Sequence, residues 1–443
     1  MTLTRRQLLG SAAGVGVAAA LGPGGLAALA GERGQRAVRY APLPAPAASG
    51  LDHIVMVCME NRSFDHYLGW LPGADGRQGG LTYRDDHGIP HRTHHLSDRN
   101  GCGNNDPDHS YEGGRLQFNR GRLDGFRKGG NDDFALGYYT AEDLPLYAPL
   151  VREATAFDRY FCSILGPTYP NRFYTHAAAT DRLENTSTTS VLPTIWDRLA
   201  SAGVPARYYF SDVPFLALWG QKYLPVSSPI ERFYAEAASG TLPSFSYLDP
   251  FFLGEGQGGS NDDHPHADIH RGQSFLSLVI KALTSSPQWS KTALVITYDE
   301  WGGFFDHVRP PRLPDDHDTG PRGKDDHAQA GFRVPTFLLS PFARRNHVAH
   351  QVYDHTSILK MVEWRFGLAP LTRRDRAARN LAESMDFAAP RQSAPVLPVV
   401  TDPGPHLCSP PVGSNPMGLE DPFWRELADS PLMRGWDKVL AGR

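Results

Sequence analysis

The chain has 443 residues, with 44 Lys and Arg against 48 Asp and Glu, which gives a formal net charge of −4 at pH 7. Hydrophobic residues make up 40% and charged residues 21%, the composition of an ordinary globular protein with a packed core. A general nucleic-acid-binding protein usually carries a basic excess, so this balance argues against that class. It says little about the substrate, because a bound metal ion can reverse the charge of a site.

The N-terminal segment has the pattern of an export signal. Arg5 and Arg6 precede an apolar run of small residues over positions 10–30. A charged start, a short apolar stretch and small residues at the end are typical of a secretory signal peptide, and adjacent arginines indicate the twin-arginine route. A membrane anchor is the alternative, but glycines and Pro23 interrupt the run, and a spanning helix needs about 20 strongly apolar residues. The sequence therefore predicts a twin-arginine signal peptide over residues 1–30.

Short apolar runs predict the buried strands of the protein. The clearest are residues 54–59, 293–298 and 334–339, and weaker runs lie at 206–210 and 244–248. Such runs, bounded by polar residues, are typical of strands that are covered on both faces.

Stretches with apolar residues three or four positions apart predict helices between these strands: residues 144–154, 194–200, 274–283 and 356–366. Alternating strands and helices predict an α/β fold, with a central, mostly parallel sheet and helices on both faces.

The predicted organisation has three parts after the signal peptide. Residues 31–50, rich in Ala, Pro and Arg, read as a linker. We expect the catalytic domain over residues 51–368 and a C-terminal extension over residues 369–443 that packs on the core and ends in a short helix near 424–428. Long polar loops at 73–134, 249–268 and 309–331 are where a site is expected, because such loops on a sheet scaffold usually carry function.

Two pairs of residues with oxygen-bearing side chains, which we call the acidic pairs, directly follow predicted strands. Glu60 and Asn61 come after the run at 54–59, and Asp299 and Glu300 after the run at 293–298. Ligands of open α/β sheets bind beyond the carboxyl ends of the strands, so the two pairs would meet if their strands are neighbours. Their oxygens are the hard ligands that hold Ca²⁺, Mg²⁺ or Mn²⁺. The alternative is that they are solvated acids at strand ends.

Thr168 lies between two prolines in the segment GPTYPNR at 166–172, just before a helix-like stretch at 172–179. A hydroxyl at a helix N-terminus faces unpaired N–H groups and the positive end of the dipole, where phosphate binds well. A neighbouring divalent cation would lower the hydroxyl pKa further. A plain helix-capping threonine is the alternative interpretation.

Histidines concentrate in the polar loops. His109, His264 and His307 stand beside acidic residues, and a histidine there can deliver a proton or hold a phosphate. Most of the 18 histidines must be ordinary loop residues, which is the alternative for these three.

Several competing motifs are absent or out of place. The segment GEGQGG at 254–259 matches the spacing of a dinucleotide-binding loop but opens no helix, and no G-x-S-x-G, H-E-x-x-H or Walker A segment is present. The four cysteines, Cys58, Cys102, Cys162 and Cys408, allow three full disulfide pairings and include no C-x-x-C. Cys58 lies in an apolar run and fits a buried thiol.

Several motifs occur together in a fixed order: DHIV at 52–55, ENRSFDHYLG at 60–69, GPTYPNR at 166–172, TYDEWGGFFDHV at 297–308, and RVP, SPF and YDHTS at 333–335, 340–342 and 353–357. They resemble the signatures of the bacterial and plant phosphatidylcholine-type phospholipase C and acid phosphatase family. The resemblance runs from about residue 51 to 368.

The resemblance implies an alkaline-phosphatase-like fold and hydrolysis of phosphoesters through a covalent phospho-enzyme. It implies that Thr168 is the nucleophile, that His109, His264 and His307 belong to the catalytic group, and that a divalent metal is held by Glu60, Asn61, Asp299, Glu300 and Thr168. Ca²⁺ is the first expectation for the metal, with Mg²⁺, Mn²⁺ or Zn²⁺ as alternatives. The implied partners are a phospholipid or organic phosphate substrate, a transient membrane surface and the twin-arginine export machinery, with no nucleic acid.

Three other functions stay open at this point. An acid phosphatase acting on soluble monoesters would use the same site. A sulfatase is disfavoured, because no Cys-x-Pro-x-Arg segment is present. A non-catalytic, metal-dependent lipid-binding protein is the alternative outside enzymes.

Overall fold

The structure is a computed structural model that describes residues 40–321, 323–406, 408 and 422–440. The chain divides into two compact units, Met1–Ala41 and Pro42–Arg443. The predicted signal peptide and residues 31–39 of the predicted linker lie outside the described residues. The second unit carries all the elements below.

The second unit is built on one sheet of eight strands. The strands are β1 (His53–Met59), β2 (Thr155–Phe157), β3 (Ala206–Phe210), β4 (Ser227–Pro229), β5 (Phe245–Leu248), β6 (Thr292–Tyr298), β7 (Thr336–Leu339) and β8 (His347–Ala349). Their order across the sheet is β8-β2-β7-β6-β1-β5-β3-β4. Only β7 runs antiparallel to its neighbours, so the mostly parallel sheet expected from the sequence is confirmed.

The central strands are covered on both faces. Every residue of the run at 54–59 is fully buried, and all seven residues of β6 are buried as well. Successive side chains of a strand point to opposite faces, so continuous burial means that both faces are packed. The predicted strand at 334–339 begins two residues late, at Thr336, because Pro335 has no N–H to give to the ladder.

The described helices are α1 (Phe64–Leu68), α2 (Tyr111–Phe118), α3 (Tyr147–Glu153), α4 (Thr168–Ala177), α5 (Ile195–Ser201), α6 (Ile230–Ser239), α7 (Ile269–Thr284), α8 (Thr356–Phe366), α9 (Arg373–Ala377), α10 (Pro422–Asp429) and α11 (Trp436–Leu440). The four predicted helices are present as α3, α5, α7 and α8. Among the described residues, no helix combines the length and the apolar character needed to cross a bilayer.

Helix α4 corrects one detail of the sequence prediction. It starts at Thr168 rather than near residue 172, so Thr168 is its first residue and Pro170 its third. A proline is tolerated in the first turn, where its missing N–H would have had no partner in the helix. Pro167 is therefore the N-cap of the helix, and Pro170 lies in its first turn.

The polar loops contain little further regular structure. Small two-stranded sheets join Thr82–Arg84 to Pro90–Arg92, His94–His95 to Gly137–Tyr138, and Tyr160–Phe161 to Tyr353–Asp354. The predicted loop at 73–134 also contains α2.

A disulfide between Cys102 and Cys408 joins this loop region to the C-terminal extension, across 306 residues of chain. Cys58 and Cys162 are buried free thiols, as predicted for Cys58. The predicted short C-terminal helix is present as α10, whose Phe423, Trp424 and Leu427 are buried.

Candidate active site

The register between two neighbouring strands brings the acidic pairs together. β1 and β6 are parallel, with Met59 level with Tyr298, so Glu60 and Asp299 leave the sheet side by side. The backbone N–H of Asn61 donates to Asp299 Oδ1 at 3.1 Å. Asn61 has a φ of 59°, in the left-handed region that few non-glycine residues occupy, which turns the chain sharply at this strand end.

Thr168 lies directly against the first pair. Its hydroxyl Oγ1 is 3.2 Å from Glu60 Oε1 and 3.4 Å from Asn61 Oδ1, and the residue is fully buried. As the first residue of α4 it lies at the positive end of the helix dipole. The structure therefore places the predicted nucleophile beside two of the predicted metal ligands.

Arg172, one turn further along α4, joins two strand ends. Its Nε donates to Asp299 Oδ2 at 2.9 Å and its Nη1 to Asp249 Oδ1 at 2.8 Å, and all three side chains are fully buried. Asp249 directly follows β5. This ion triad fixes Asp299 relative to Thr168. No motif in the sequence marks Arg172 as part of the site, although its spacing of four residues from Thr168 places both on one helix face.

Glu300 presents one oxygen that has no hydrogen-bond partner among the described residues. Its Oε2 accepts the backbone N–H of Gly302 at 2.7 Å, whereas the buried Oε1 has no partner and lies 3.8 Å from His109 Nε2. Burial, reinforced by the negative charge of Asp299, raises the pKa of Glu300 to about 8. Burial also raises the pKa of Glu60 well above its usual range.

This group of side chains fits a divalent cation. Glu60, Asn61, Asp299 and Glu300 offer hard oxygen donors, and buried carboxylates without a cation are costly. The buried, unpartnered Oε1 of Glu300 is the kind of atom that a cation would satisfy. Both oxygens of Asp299 already accept hydrogen bonds, so a bound ion would share Asp299 with Arg172 and with the backbone N–H groups of Asn61 and Glu300.

Two predicted histidines lie at the edge of this group. His109 Nδ1–H donates to Pro107 O at 2.8 Å, and its Nε2 accepts from Asn61 Nδ2 at 3.3 Å. His264 Nδ1 lies 3.0 Å from both Glu255 Oε2 and Pro265 O, and the two imidazole rings are 5.8 Å apart. In both residues the Nδ1 contacts orient the ring, and Nε2 of His109 faces Asn61 Nδ2 and Glu300 Oε1.

A second set of possible metal donors overlaps these histidines. Donor atoms of Asp106, His109 and His264 lie within 4.8 Å of one another. A cavity of about 270 Å³ borders Asp106, His109 and Pro167, which immediately precedes Thr168, so this is where a substrate would approach.

His307 is not brought to this group. Its ring makes ion pairs with Asp65 and Asp75, and Asp65 in turn pairs with the buried Arg333, as does Asp306. None of its hydrogen bonds or ion pairs in the described part of the chain involves Thr168 or the two acidic pairs. The position of the ring follows from its ion pairs with the two neighbouring carboxylates. The geometry therefore does not support the catalytic role predicted for His307.

Trp424 enters the site from the C-terminal extension. Its indole Nε1–H donates to both carboxylate oxygens of Glu60, at 3.0 and 3.1 Å. The ring stacks on Phe252 with centroids 3.8 Å apart. Sequence reasoning missed this residue, since no motif links a tryptophan at position 424 to a glutamate at position 60.

Comparison with known proteins identifies the family of the chain. The family model described as "Phosphoesterase family" matches residues 51–369. The chain belongs to the Phosphoesterase family. This confirms the family suggested by the motifs, and this phosphoesterase is accordingly a hydrolase of phosphoric ester bonds.

Among its relatives is "Non-specific phospholipase C6" of Arabidopsis thaliana, 33% identical over 392 residues, which cover 79% of this chain and 75% of the relative. Another is "Phospholipase C B" of Mycobacterium tuberculosis, 31% identical over 468 residues, covering 88% of this phosphoesterase and 86% of the relative.

Solved structures that align with this phosphoesterase include "lipoteichoic acid synthase LtaP from Listeria monocytogenes", with a TM-score of 0.42, 9% identity and 91% and 95% of the two chains covered. A "Protein in the Alkaline Phosphatase Superfamily from Vibrio parahaemolyticus" aligns with a TM-score of 0.37, 10% identity and 78% and 72% coverage. The mostly parallel sheet itself shows the α/β class.

Proposed function

We propose that this phosphoesterase is a phospholipase C that cleaves phospholipids to diacylglycerol and a phosphorylated head group through a phosphothreonine at Thr168. The observation that carries the proposal is the position of Thr168 Oγ1, within 3.4 Å of both Glu60 Oε1 and Asn61 Oδ1. The names of the relatives from Arabidopsis thaliana and Mycobacterium tuberculosis support the phospholipid substrate.

We infer that a divalent cation, with Ca²⁺ as the first expectation, is held by Glu60, Asn61, Asp299, Glu300 and Thr168. When bound there, such a cation lowers the pKa of the hydroxyl and draws charge from the phosphoryl oxygens. The unpartnered Oε1 of Glu300 supports this inference.

Side chains of the protein then carry out the individual steps of the reaction. Thr168 Oγ1 attacks phosphorus in line, and the hydroxyl proton passes to Glu60 Oε1, the nearest acceptor. The bond from phosphorus to the diacylglycerol oxygen breaks, and His109 or His264, protonated at Nε2, gives that oxygen its proton. Water then attacks phosphorus of the phosphothreonine and gives its proton to that histidine. The bond from phosphorus to Thr168 Oγ1 breaks, Glu60 returns the proton to Oγ1, and the phosphorylated head group leaves.

Export by the twin-arginine route is part of the proposal. The pattern of residues 1–30 supports it. The disulfide between Cys102 and Cys408 supports an oxidising compartment outside the cytoplasm, where such bonds persist.

The test is turnover by the purified protein of phosphatidylcholine vesicles and of p-nitrophenyl phosphate, each with and without a chelator. We expect release of phosphocholine that the chelator abolishes. Turnover of the monoester alone would replace the proposal by an acid phosphatase, and turnover of neither by a lipid-binding protein without catalysis.

The nucleophile is tested by Thr168→Ala, with Thr284→Ala, on the outer part of α7, as the matched control. We expect loss of turnover only in the first variant, and a phosphothreonine trapped by rapid quenching of the unchanged protein. Retained turnover in Thr168→Ala would exclude the assignment.

A further inference from the structure

A second, larger cavity lies outside the candidate site. It has a volume of about 920 Å³, and five of the residues that line it are cationic: Arg115, Arg120, Lys128, Arg309 and Arg312. We call this cavity, defined by these five residues and Leu116, the basic groove. Asp326 is the acidic residue in its lining. In a chain with a net charge of −4, such a local excess of positive charge requires an explanation.

In the described part of the chain, four of the five charges have no carboxylate partner. Arg312 is neutralised by ion pairs with Asp318 and Asp326. Within the described residues, Arg120, Lys128 and Arg309 form no ion pair. Two of them, Arg120 and Arg309, are exposed, so their charges are available to a ligand from solution.

Arg115 is held by the protein rather than by a counter-charge. Its guanidinium donates to the carbonyl oxygens of Tyr111, Leu165 and Asp326. It also lies 3.1 Å from the centroid of the Tyr111 ring. Arg115 therefore contributes a rigid positive charge at the inner end of the groove.

The groove combines these charges with exposed apolar surface. Leu116, on the outer side of α2, is 41% exposed. Phe118 is half-buried and lies under Arg309, whose guanidinium is 5.8 Å from the ring centroid. Cations beside an exposed aliphatic side chain suit a lipid surface, where phosphate groups border the acyl layer.

The backbone at the outer end of the groove is held in an unusual conformation. Asn119 and Arg120 both have positive φ values, 40° and 56°. Asn119 is the left-handed cap that ends α2, a position that asparagine often takes, whereas arginine at the position of Arg120 is uncommon in this region. The strained turn is what carries the exposed Arg120 to the groove.

Helix α2 connects the basic groove to the opening of the candidate site. His109 lies two residues before α2, and Tyr111, its first residue, borders the cavity at His109. One turn later, Arg115 lines the groove and donates to Leu165 O at 2.7 Å, three residues before Thr168. The stacked pair of Tyr111 and Arg115 is thus the wall between the two cavities.

We propose that the basic groove binds the phosphate groups of an anionic phospholipid surface and sets that surface against the opening at His109. The proposal rests on the proposed function and adds the surface through which the enzyme meets its substrate. Nucleic acid is disfavoured as the occupant, because the overall charge is negative and no basic stripe extends over the chain.

The test measures binding without turnover. Full-length protein carrying Thr168→Ala is sedimented with vesicles of phosphatidylcholine alone and of phosphatidylcholine with phosphatidylglycerol. The groove variant adds Arg120→Gln, Lys128→Gln and Arg309→Gln. The matched control adds Lys281→Gln, Arg376→Gln and Lys438→Gln, which are exposed cations that do not line the groove. Both variants change the net charge equally.

We expect tighter binding to the anionic vesicles, and a loss on the order of 100-fold in the groove variant, since each cation near an anionic surface contributes about fivefold. The control should lose little, and the thermal unfolding midpoints of the two variants should agree. Equal binding by the groove variant and the control overturns the proposal.

A second arm separates the lipid surface from a small anion. Chemical labelling of Lys128 in the unchanged protein is measured with inorganic phosphate and with vesicles, at the same total phosphate concentration. If inorganic phosphate protects Lys128 from labelling, and binding to vesicles does not depend on their composition, the groove is a free-phosphate site and the proposal is overturned. Because no step in this experiment requires turnover, failure of the phospholipase assignment shows separately, in the phosphocholine assay of the unchanged enzyme.

Discussion

The indole of Trp424 donates its N–H to both carboxylate oxygens of Glu60, although the two residues lie 364 positions apart in the chain. Residue 424 lies beyond the matched family region at 51–369, so the C-terminal extension contributes directly to the site. Groups that hold metal ligands in place tune metal affinity and activity nearly as strongly as the ligands themselves.

Replacing Trp424 by Phe should therefore weaken the site without removing the stack on Phe252. We expect roughly a 10-fold weaker metal affinity and a comparable fall in kcat, with a smaller change in KM, because Glu60 loses the donor that orients it. Trp289→Phe is the matched control, since Trp289 is buried but its Nε1 has no hydrogen-bond partner in the described structure. Isothermal titration with Ca²⁺ and steady-state kinetics measure both effects, and equal behaviour of the two variants would contradict this role.

Replacing Arg172 by Met should destabilise the fold as well as the site. The substitution leaves Asp249 and Asp299 as buried carboxylates without their cation, which costs about 3–5 kcal/mol in free energy of unfolding. Arg232→Met is the control, because Arg232 is exposed and pairs with Glu236 one helix turn away, a kind of ion pair that contributes less than about 1 kcal/mol. Urea denaturation measures both, and a loss in Arg172→Met as small as in the control would contradict the buried triad.

Gly302 is a position where a methyl group should disrupt the acidic pairs. It has a φ of 61°, and a Cβ there would lie 2.2 Å from the backbone oxygen of Asn61. We expect Gly302→Ala to lower kcat roughly 100-fold, because displacing catalytic groups by about 1 Å has that effect. Gly88→Ala is the control. Gly88 also has a positive φ, of 81°, but its Cβ would meet no atom within 4 Å, so this variant has the backbone strain without the steric clash. Full activity in Gly302→Ala would show that Asn61 can move freely.

We expect the free energy of unfolding to fall at alkaline pH because of His307. Burial of the ring disfavours its charge, but hydrogen bonds to Asp65 and Asp75 outweigh burial and raise the pKa of His307 to about 9. A pKa raised on folding stabilises the protein fully below the unfolded value near 6.5, and that stabilisation is lost as pH rises through about 9.

We expect the difference in unfolding free energy between the unchanged protein and His307→Gln to shrink by on the order of 2 kcal/mol between about pH 6 and pH 9.5. Denaturation curves at each pH measure it. His53→Gln is the control, because His53 hydrogen-bonds to Pro243 O and Gln288 but forms no ion pair in the described structure. A constant difference across this range would mean that the ion pairs of His307 contribute nothing to stability.

Reduction of the disulfide should loosen the attachment of the C-terminal extension. The bond between Cys102 and Cys408 closes a long loop, and loss of such a bond costs about 2–4 kcal/mol. We expect dithiothreitol to lower the thermal unfolding midpoint of the unchanged protein, but to leave a Cys102→Ser, Cys408→Ser variant unaffected. If dithiothreitol lowers the unfolding midpoint of that variant by the same amount, the effect does not come from the disulfide.

The sequence by itself determined the local features of this protein. A buried parallel strand must be apolar along its whole length, so the runs at 54–59 and 293–298 are visible without knowledge of their neighbours. The residues after them, Glu60, Asn61, Asp299 and Glu300, are marked as a candidate site by the same local rule. The family motifs are likewise contiguous segments of chain, which is why the phosphoesterase class could be predicted.

The tertiary structure alone decided which distant groups meet. The pairing of Met59 with Tyr298 sets Glu60 beside Asp299, and the packing of α4 brings Arg172 between Asp249 and Asp299. The insertion of Trp424 against Glu60 and the pairing of His307 with Asp65 follow in the same way. Such contacts depend on how whole elements pack and on the cost of burying charge without a partner, and neither is encoded in the spacing of residues along the chain.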